Sequence, residues 1–206
     1  MKTIVLDTET TGIGKADEVI QLAYFEINFE DIFGDRDEVV TIAKAGSNKQ
    51  YRPSVPIHPE AAKVNGIQYK DLLKCHASKT LTPPELQEDG GFILGHNISF
   101  DRRMMLQCMN LEMQNYFDNT KFICTLELAR ALDKQLGIGF PNHKLDTLMR
   151  HFYPEVELST MHDALDDCIK TVLVLRKLLE FIPKIESFND LYLFKEQLKS
   201  VKKKKK

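Results

Sequence analysis

Asp7 and Glu9 stand two residues apart in the stretch LDTETTG, directly after the β-branched run Thr3-Ile4-Val5. Such a run is strand material. Successive side chains on a strand alternate between faces, so Val5, Asp7 and Glu9 share one. Two carboxylates side by side repel each other, and burial strengthens the repulsion. The pair is tolerable if one acid is protonated, if both face water at a frayed strand end, or if a cation sits between them.

Other acidic and imidazole groups recur further along. HNISFD (96–101) follows the apolar run FILGH and carries Asp101 in the first turn of an expected helix, with Asn97 or Ser99 as its cap. Simple capping is a sufficient account of that segment, because acids favour a helix N-terminus. MHDALDDC (161–168) puts His162 at the mouth of a long helix, followed by Asp163, Asp166 and Asp167. Asp163 and Asp167 are i,i+4 neighbours of like charge, which is destabilising. A bound cation explains the cluster, and so does an acidic first helical turn. HKLDTLMRHF (143–152) offers His143, Asp146 and His151, which read as surface residues beside the Leu145/Leu148/Met149 stripe and receive no chemistry. His58 and His76 have no evident partner, and His96 is a structural neighbour of the acidic set.

The elements that must position these groups follow from periodicity. Residues 2–7, 19–28 and 38–44 read as strands with hairpin-like connections, and 46–58 as loop. Pro59–Val64 is a short helix stopped at Asn65-Gly66. Thr82–Leu86 starts a helix or a loop. Residues 92–96 and 122–125 supply two more strands. Helices are expected over 99–111, from Glu127 to Leu136, over 144–152, over 163–181 and over 189–201. Ala164, Leu165, Ile169, Val172, Leu173 and Leu175 recur at helical spacing in the longest of them. Strands first, then helices and strands in alternation, predict a mixed α/β sheet flanked by helices. No boundary falls before residue 183, so the chain divides into 1–182 and a C-terminal helical extension, 183–206, ending in a lysine tail.

Composition narrows the class. The chain has 206 residues, 43% of them hydrophobic and 28% charged, as in ordinary globular proteins. No apolar run is long enough for a membrane span, and the start lacks the apolar region of a signal peptide, so a cytoplasmic location is expected. Cys75, Cys108, Cys124 and Cys168 show no metal-knuckle spacing and read as reduced thiols. The 28 basic and 30 acidic residues give −2, but five of the basic ones are Lys202–Lys206; without them the body carries 23 against 30, or −7. A body of that sign suits nucleic acid only where cations or local basic patches intervene. The tail is either a solvated end or a phosphate contact.

DTETTG, HNISFDRR and the pair His162…Asp167, in that order, resemble the DEDDh (DnaQ-like) 3′–5′ exonucleases of the RNase H-like superfamily. IHPEAAKVNGI and HKLDTLMRHF resemble the family's intervening segments. ICTLELAR, HNISFDRR and HDALDDC together are most similar to its bacterial exonuclease X branch. The likeness spans roughly residues 3–180. It implies a mixed five-stranded sheet and metal-dependent hydrolysis of phosphodiester bonds from the 3′ end, releasing nucleoside monophosphates. Position by position, it makes Asp7, Glu9, Asp101 and Asp167 the metal-binding acids and His162 the general base. His162 must then precede the regular helix, since five helical steps would turn it about 140° away from Asp167. Oxygen donors without thiolates suit Mg²⁺ or Mn²⁺, and two such ions can stabilise the attacking and leaving oxygens. Thr8, Thr10, Thr11, Asn97 and Phe100 are expected at the terminal nucleotide. Arg102 and Arg103 are phosphate contacts or solvated charges. DNA with a free 3′ end is the favoured substrate. RNA 3′-trimming of the RNase T or oligoribonuclease type and a polymerase-associated proofreading or binding subunit are the alternatives. A homodimer is compatible with either, and no membrane partner is expected.

Overall fold

The computed structural model describes residues 3–84, 91–118 and 120–203. Its sheet has six strands: β1 (Thr3–Thr10), β2 (Val19–Ile27), β3 (Ser47–Arg52), β4 (His76–Ala77), β5 (Phe92–Gly95) and β6 (Lys121–Cys124), in the order β4-β3-β2-β1-β5-β6. β1–β2 and β2–β3 are antiparallel, whereas β5 joins β1 and β6 joins β5 in parallel. Helices α1 (Arg36–Lys44), α2 (Pro59–Asn65), α3 (Ile98–Cys108), α4 (Leu111–Asp118), α5 (Thr125–Leu136), α6 (Leu145–Phe152), α7 (Ala164–Leu179) and α8 (Phe188–Lys203) complete the set.

β1 is central and covered on both sides, so it is buried almost without interruption and its first half carries the apolar run Ile4-Val5-Leu6. Val5, Phe25, Phe92 and Leu94 face a core closed by α7, whose Cys168, Val172, Leu175 and Leu179 pack there. Ile4, Leu6, Leu22 and Ile93 face the other core, filled by Met104, Met105 and Cys108 of α3. Each fully buried side chain of this size contributes about 1.5–3 kcal/mol. The alternation decides the site: the Val5 side of β1 looks at α7, so the residues that follow in the same phase, Asp7 and Glu9, look at the helix that carries Asp167.

Several expectations need correction. Residues 38–44 form helix, not strand. Asp35 caps α1, accepting from Glu38 N while Glu38 reaches back to Asp35 N, and Val39 and Ala43 bury one helical face. The third long strand comes instead from Ser47–Arg52, inside the expected loop; it is mostly polar and owes its state to backbone pairing with β2. The helix expected over 99–111 stops at Cys108, and α4 follows as a separate element. The strand count is six rather than five because a two-residue β4 pairs with β3. Thr82–Pro84 are irregular, and Glu85–Leu86 lie outside the described residues. α8 buries Phe188 and Leu191 in the α7 core, and Lys195 Nζ donates to Phe122 O. Lys204–Lys206 of the tail lie outside the described residues.

Candidate active site

Three segments converge at the end of β1. The first is β1 itself, with Asp7 opposite Ala23 and Glu9 opposite Gln21, just before the pairing with β2 shifts register at Glu9/Thr10. The second is the start of α3. It can approach β1 because residue 95 is glycine: a Cβ there would lie 2.6 Å from Ile98 Cδ1 and 3.0 Å from Leu6 O. Asn97 turns the chain in the left-handed region, φ 63°, a conformation asparagine tolerates. Asp101 is thereby delivered to Thr8, whose N–H (3.0 Å) and hydroxyl (2.8 Å) both donate to its Oδ1.

The third segment is the start of α7. Asp163 caps it, accepting from Leu165 N and Asp166 N, and its other oxygen accepts from Gln21 Nε2 at 2.7 Å. This anchors the helix to β2 and fixes its rotation. Asp167 falls on the buried side at 5% exposure. Asp166 turns outward, and its side chain is 38% exposed. His162 lies before the helix, as the geometry of the pair requires. Its N–H donates to Val64 O (3.0 Å), and its Nδ1 lies 2.9 Å from Asp167 Oδ2. Glu9, His162 and Asp167 each offer a ligand atom within 4.8 Å of the others.

The acids oppose one another. Burial, then the charges of Asp101, Asp167 and Glu9, hold the Asp7 carboxyl well above the usual carboxylate range. Burial, followed by the charge of Asp167, pushes Glu9 up to about 7. Burial raises Asp101 as well, against the hydrogen bonds from Thr8. Asp167 behaves differently: burial opposes its ionisation, but the hydrogen bond from His162 and the charge and hydrogen bond of Lys170 outweigh it and lower its pKa. That hydrogen bond in turn raises the imidazole of His162. Buried carboxylates this close are what a divalent cation relieves, and the donors are oxygens and one imidazole without a thiolate. Such a set fits a hard divalent metal. The nearby Cys168 is turned away, its thiol toward Ala23 O.

The remaining expected residues divide. Thr8 is spent on Asp101. Thr10 Oγ1 donates to Gly12 O, and Thr11 is fully buried with its hydroxyl on Asp17 and its backbone bonded to Glu18 O and His58 N. Asn97 is exposed, and Phe100 is half-buried with the Arg103 guanidinium 5.3 Å above its ring. Arg103 also donates to Ile13 O, which gives it a partner within the fold. His96 is held between Thr125 Oγ1 and His143 O, and burial lowers its pKa to about 4. His58 pairs with Asp17 at 3.3 Å.

Four participants had no chemistry assigned from sequence. Asn65, whose Nδ2 donates to Thr10 O at 3.4 Å, lowers the pKa of Glu9 against its burial, and Gln21 anchors Asp163. Lys170 is 3% exposed and reaches Asp167 Oδ1 at 2.7 Å. Asp146 is not a plain surface residue, because its Oδ1 lies 3.2 Å from Lys170 Nζ. Lys170 carries a legible signal, a lysine on the apolar α7 three and four residues after two aspartates. Asn65 and Gln21 become visible only through strand pairing and the return of the α6–α7 loop to α2.

The chain is similar to known exonucleases in sequence and in fold. Residues 4–175 match the exonuclease family RNase_T. The chain is 31% identical over 173 residues to DNA polymerase III subunit epsilon of Buchnera aphidicola, covering 81% of this chain and 68% of that one. It is 28% identical over 181 residues to an uncharacterized exonuclease of Escherichia phage 186, covering 82% and 84%. Among solved structures it is similar to exonuclease X in complex with 5′ overhanging duplex DNA, with a TM-score of 0.58, 21% identity and 92% and 99% coverage. It is also similar to E. coli exonuclease I with a dA16 oligonucleotide, with a TM-score of 0.66 and 18% identity, covering 94% of this chain and 42% of that one. No helix among the described residues is long and apolar enough to cross a membrane. With its acids brought together in a six-stranded sheet of the same fold, the chain belongs to the RNase_T exonuclease family.

Proposed function

We propose that the protein is a 3′–5′ exonuclease that hydrolyses DNA phosphodiester bonds and releases nucleoside monophosphates. The observation that carries this reading is the convergence of Asp7, Glu9, Asp101 and Asp167 from three segments, with His162 beside them. Mg²⁺ or Mn²⁺, two per site on Asp7, Glu9, Asp101 and Asp167, would supply the charge that stabilises the attacking and leaving oxygens and acidifies water.

The chain's own groups have separate tasks. Asp167 occupies Nδ1 of His162, which leaves Nε2 to take the proton of the attacking water. The same contact steadies the imidazolium that results. Thr8 fixes the Asp101 carboxylate by two donors, and Asn65 favours the ionised form of Glu9. Asn97 and Phe100, at the start of α3, would contact the sugar and base of the terminal nucleotide. Residues 1–182 form the exonuclease domain in this reading, and 183–206 an extension. DNA is favoured because exonuclease X and exonuclease I are named with DNA, and the Buchnera relative is a DNA polymerase subunit. That last likeness favours a second reading, an active proofreading subunit bound to a polymerase.

Digestion of 5′-labelled DNA and RNA oligomers with Mg²⁺, beside Asp7→Ala and an EDTA control, tests this. A ladder descending from the 3′ end, absent in both controls and faster on DNA, is expected. A faster ladder on RNA would move the protein to the RNA-trimming class. No ladder with Mg²⁺ or Mn²⁺ would overturn the nuclease reading.

A further inference from the structure

Lys170 is a buried charge beside the site that the proposed chemistry leaves unused. It sits on α7 one turn after Asp166 and Asp167, with α6 alongside. Its ammonium meets three carboxylate oxygens: Asp167 Oδ1 at 2.7 Å, Asp166 Oδ2 at 2.9 Å and Asp146 Oδ1 at 3.2 Å. The shortest contact, to Asp167 Oδ1, is a hydrogen bond, and that to Asp146 is ionic only. At 3% exposure, water does not compete for these contacts.

The consequence concerns Asp167. Its Oδ2 lies against the ring of His162, and Asp167, His162 and Glu9 form the group of gathered ligand atoms. Its Oδ1 is held by Lys170. We propose that Lys170 is a positioning residue that permanently takes Asp167 Oδ1, leaves a single oxygen for a divalent ion, and through its own charge weakens the hold of the site on that ion. The inference rests on the nuclease reading above. Its physical basis is simple. An ammonium and a divalent cation that share one carboxylate repel each other, and at the dielectric of a partly wet protein site the repulsion exceeds a factor of ten in affinity. The same ammonium offsets the mutual repulsion of the acids while no ion is bound. Lys170 therefore trades tight metal binding for a site that stays assembled without metal.

The test is Mn²⁺ titration followed by calorimetry and by the electron paramagnetic resonance signal of free Mn²⁺, on wild type, Lys170→Met and Lys170→Arg. Lys170→Met should bind Mn²⁺ at least tenfold more tightly than wild type, and Lys170→Arg should stay within about threefold of it. In melting experiments Lys170→Met should lose stability in EDTA and recover most of it with Mn²⁺. A lysine that served only to join α6 to α7 would give equal losses with and without the ion. Lys170→Gln, which keeps a donor for Asp167 without the charge, should bind more tightly too, and it replaces Lys170→Met if that variant does not fold. A variant that folds only with Mn²⁺ present is the extreme form of the expected result. Unchanged or weaker Mn²⁺ binding in folded Lys170→Met or Lys170→Gln would overturn the inference, as would failure of both to fold with Mn²⁺. If wild type binds no Mn²⁺ while Lys170→Met does, the inference stands in its strong form. If neither binds, it falls together with the nuclease reading.

Discussion

Replacing Glu9 by glutamine should stabilise the metal-free protein, and only at neutral to alkaline pH. Glu9 is 8% exposed and titrates at about 7 in the folded chain, against 4.5 for an ordinary glutamate. The folded pKa lies above the unfolded one, so the folded chain holds the proton more tightly. The associated stability is complete below about 4.5 and drains away as pH rises through about 7. At about 1.4 kcal/mol per unit, the ionised carboxylate costs the fold about 3 kcal/mol at pH 8 and under about 1 kcal/mol at pH 5. A chain of this length shifts its melting point by roughly 2–4 °C per kcal/mol. Glu9→Gln should thus melt on the order of 5–10 °C above wild type at pH 8 in EDTA, with the gap nearly closed at pH 5. Added Mg²⁺ should reverse the order, because wild type gains a bound ion that the amide holds poorly. Differential scanning fluorimetry of both proteins at four pH values, with EDTA or Mg²⁺, reads all of this. A gap that does not change with pH would refute the idea that buried repulsion around Glu9 is stored in the apo fold.

Other perturbations separate further contacts. Thr8→Val removes the hydroxyl donor to Asp101 and keeps the backbone one; kcat should fall about tenfold, a loss of about 1–1.5 kcal/mol, with little change in melting point. His162→Gln should lower kcat by about 10²–10⁴ while Mn²⁺ affinity stays within a few-fold; collapse of that affinity would make the ring a ligand instead of a base. Glu18, 1% exposed, accepts from Ser54 N and Oγ and pairs with Lys79, contacts that outweigh its burial and lower its pKa. Glu18→Ala should cost about 2–3 kcal/mol in urea denaturation at pH 7. That cost should shrink as pH falls below 4.5, where the depressed carboxylate loses its advantage.

What could be read from sequence was what local chemistry determines. β1, β5 and α7 declare themselves by apolar periodicity, whereas the acids alone left capping and solvation open until the resemblance to the exonucleases singled them out. That resemblance favours Asp167 over Asp166, and the Asp163 cap supplies the physical reason. At 38–44, Val39, Val40 and Ile42 are strand formers, but the Asp35…Glu38 capping box is the stronger signal and starts a helix. β3 was illegible because SNKQYR has no strand pattern; pairing with β2 makes it a strand. Gln21 and Asn65 escaped for a related reason. Their roles depend on which residue lies opposite Glu9 and which loop returns to Val64, and those are properties of the assembled fold, whereas Lys170 was legible as a lysine one turn after two aspartates on an apolar helix.

The separation of the acids along the chain has a consequence for synthesis. Asp7 and Glu9 are made with the first strand and Asp101 near the middle, but His162, Asp167 and Lys170 emerge only with the long helix α7. A ribosome translating this message surrounds the growing polypeptide with nucleic acid. Until α7 clears the exit tunnel, the nascent chain cannot gather its acids, and a product released early lacks the residue that completes them. Distance in sequence thus acts as a timing device: in the proposed function, the cutting centre closes only after α7 has been made.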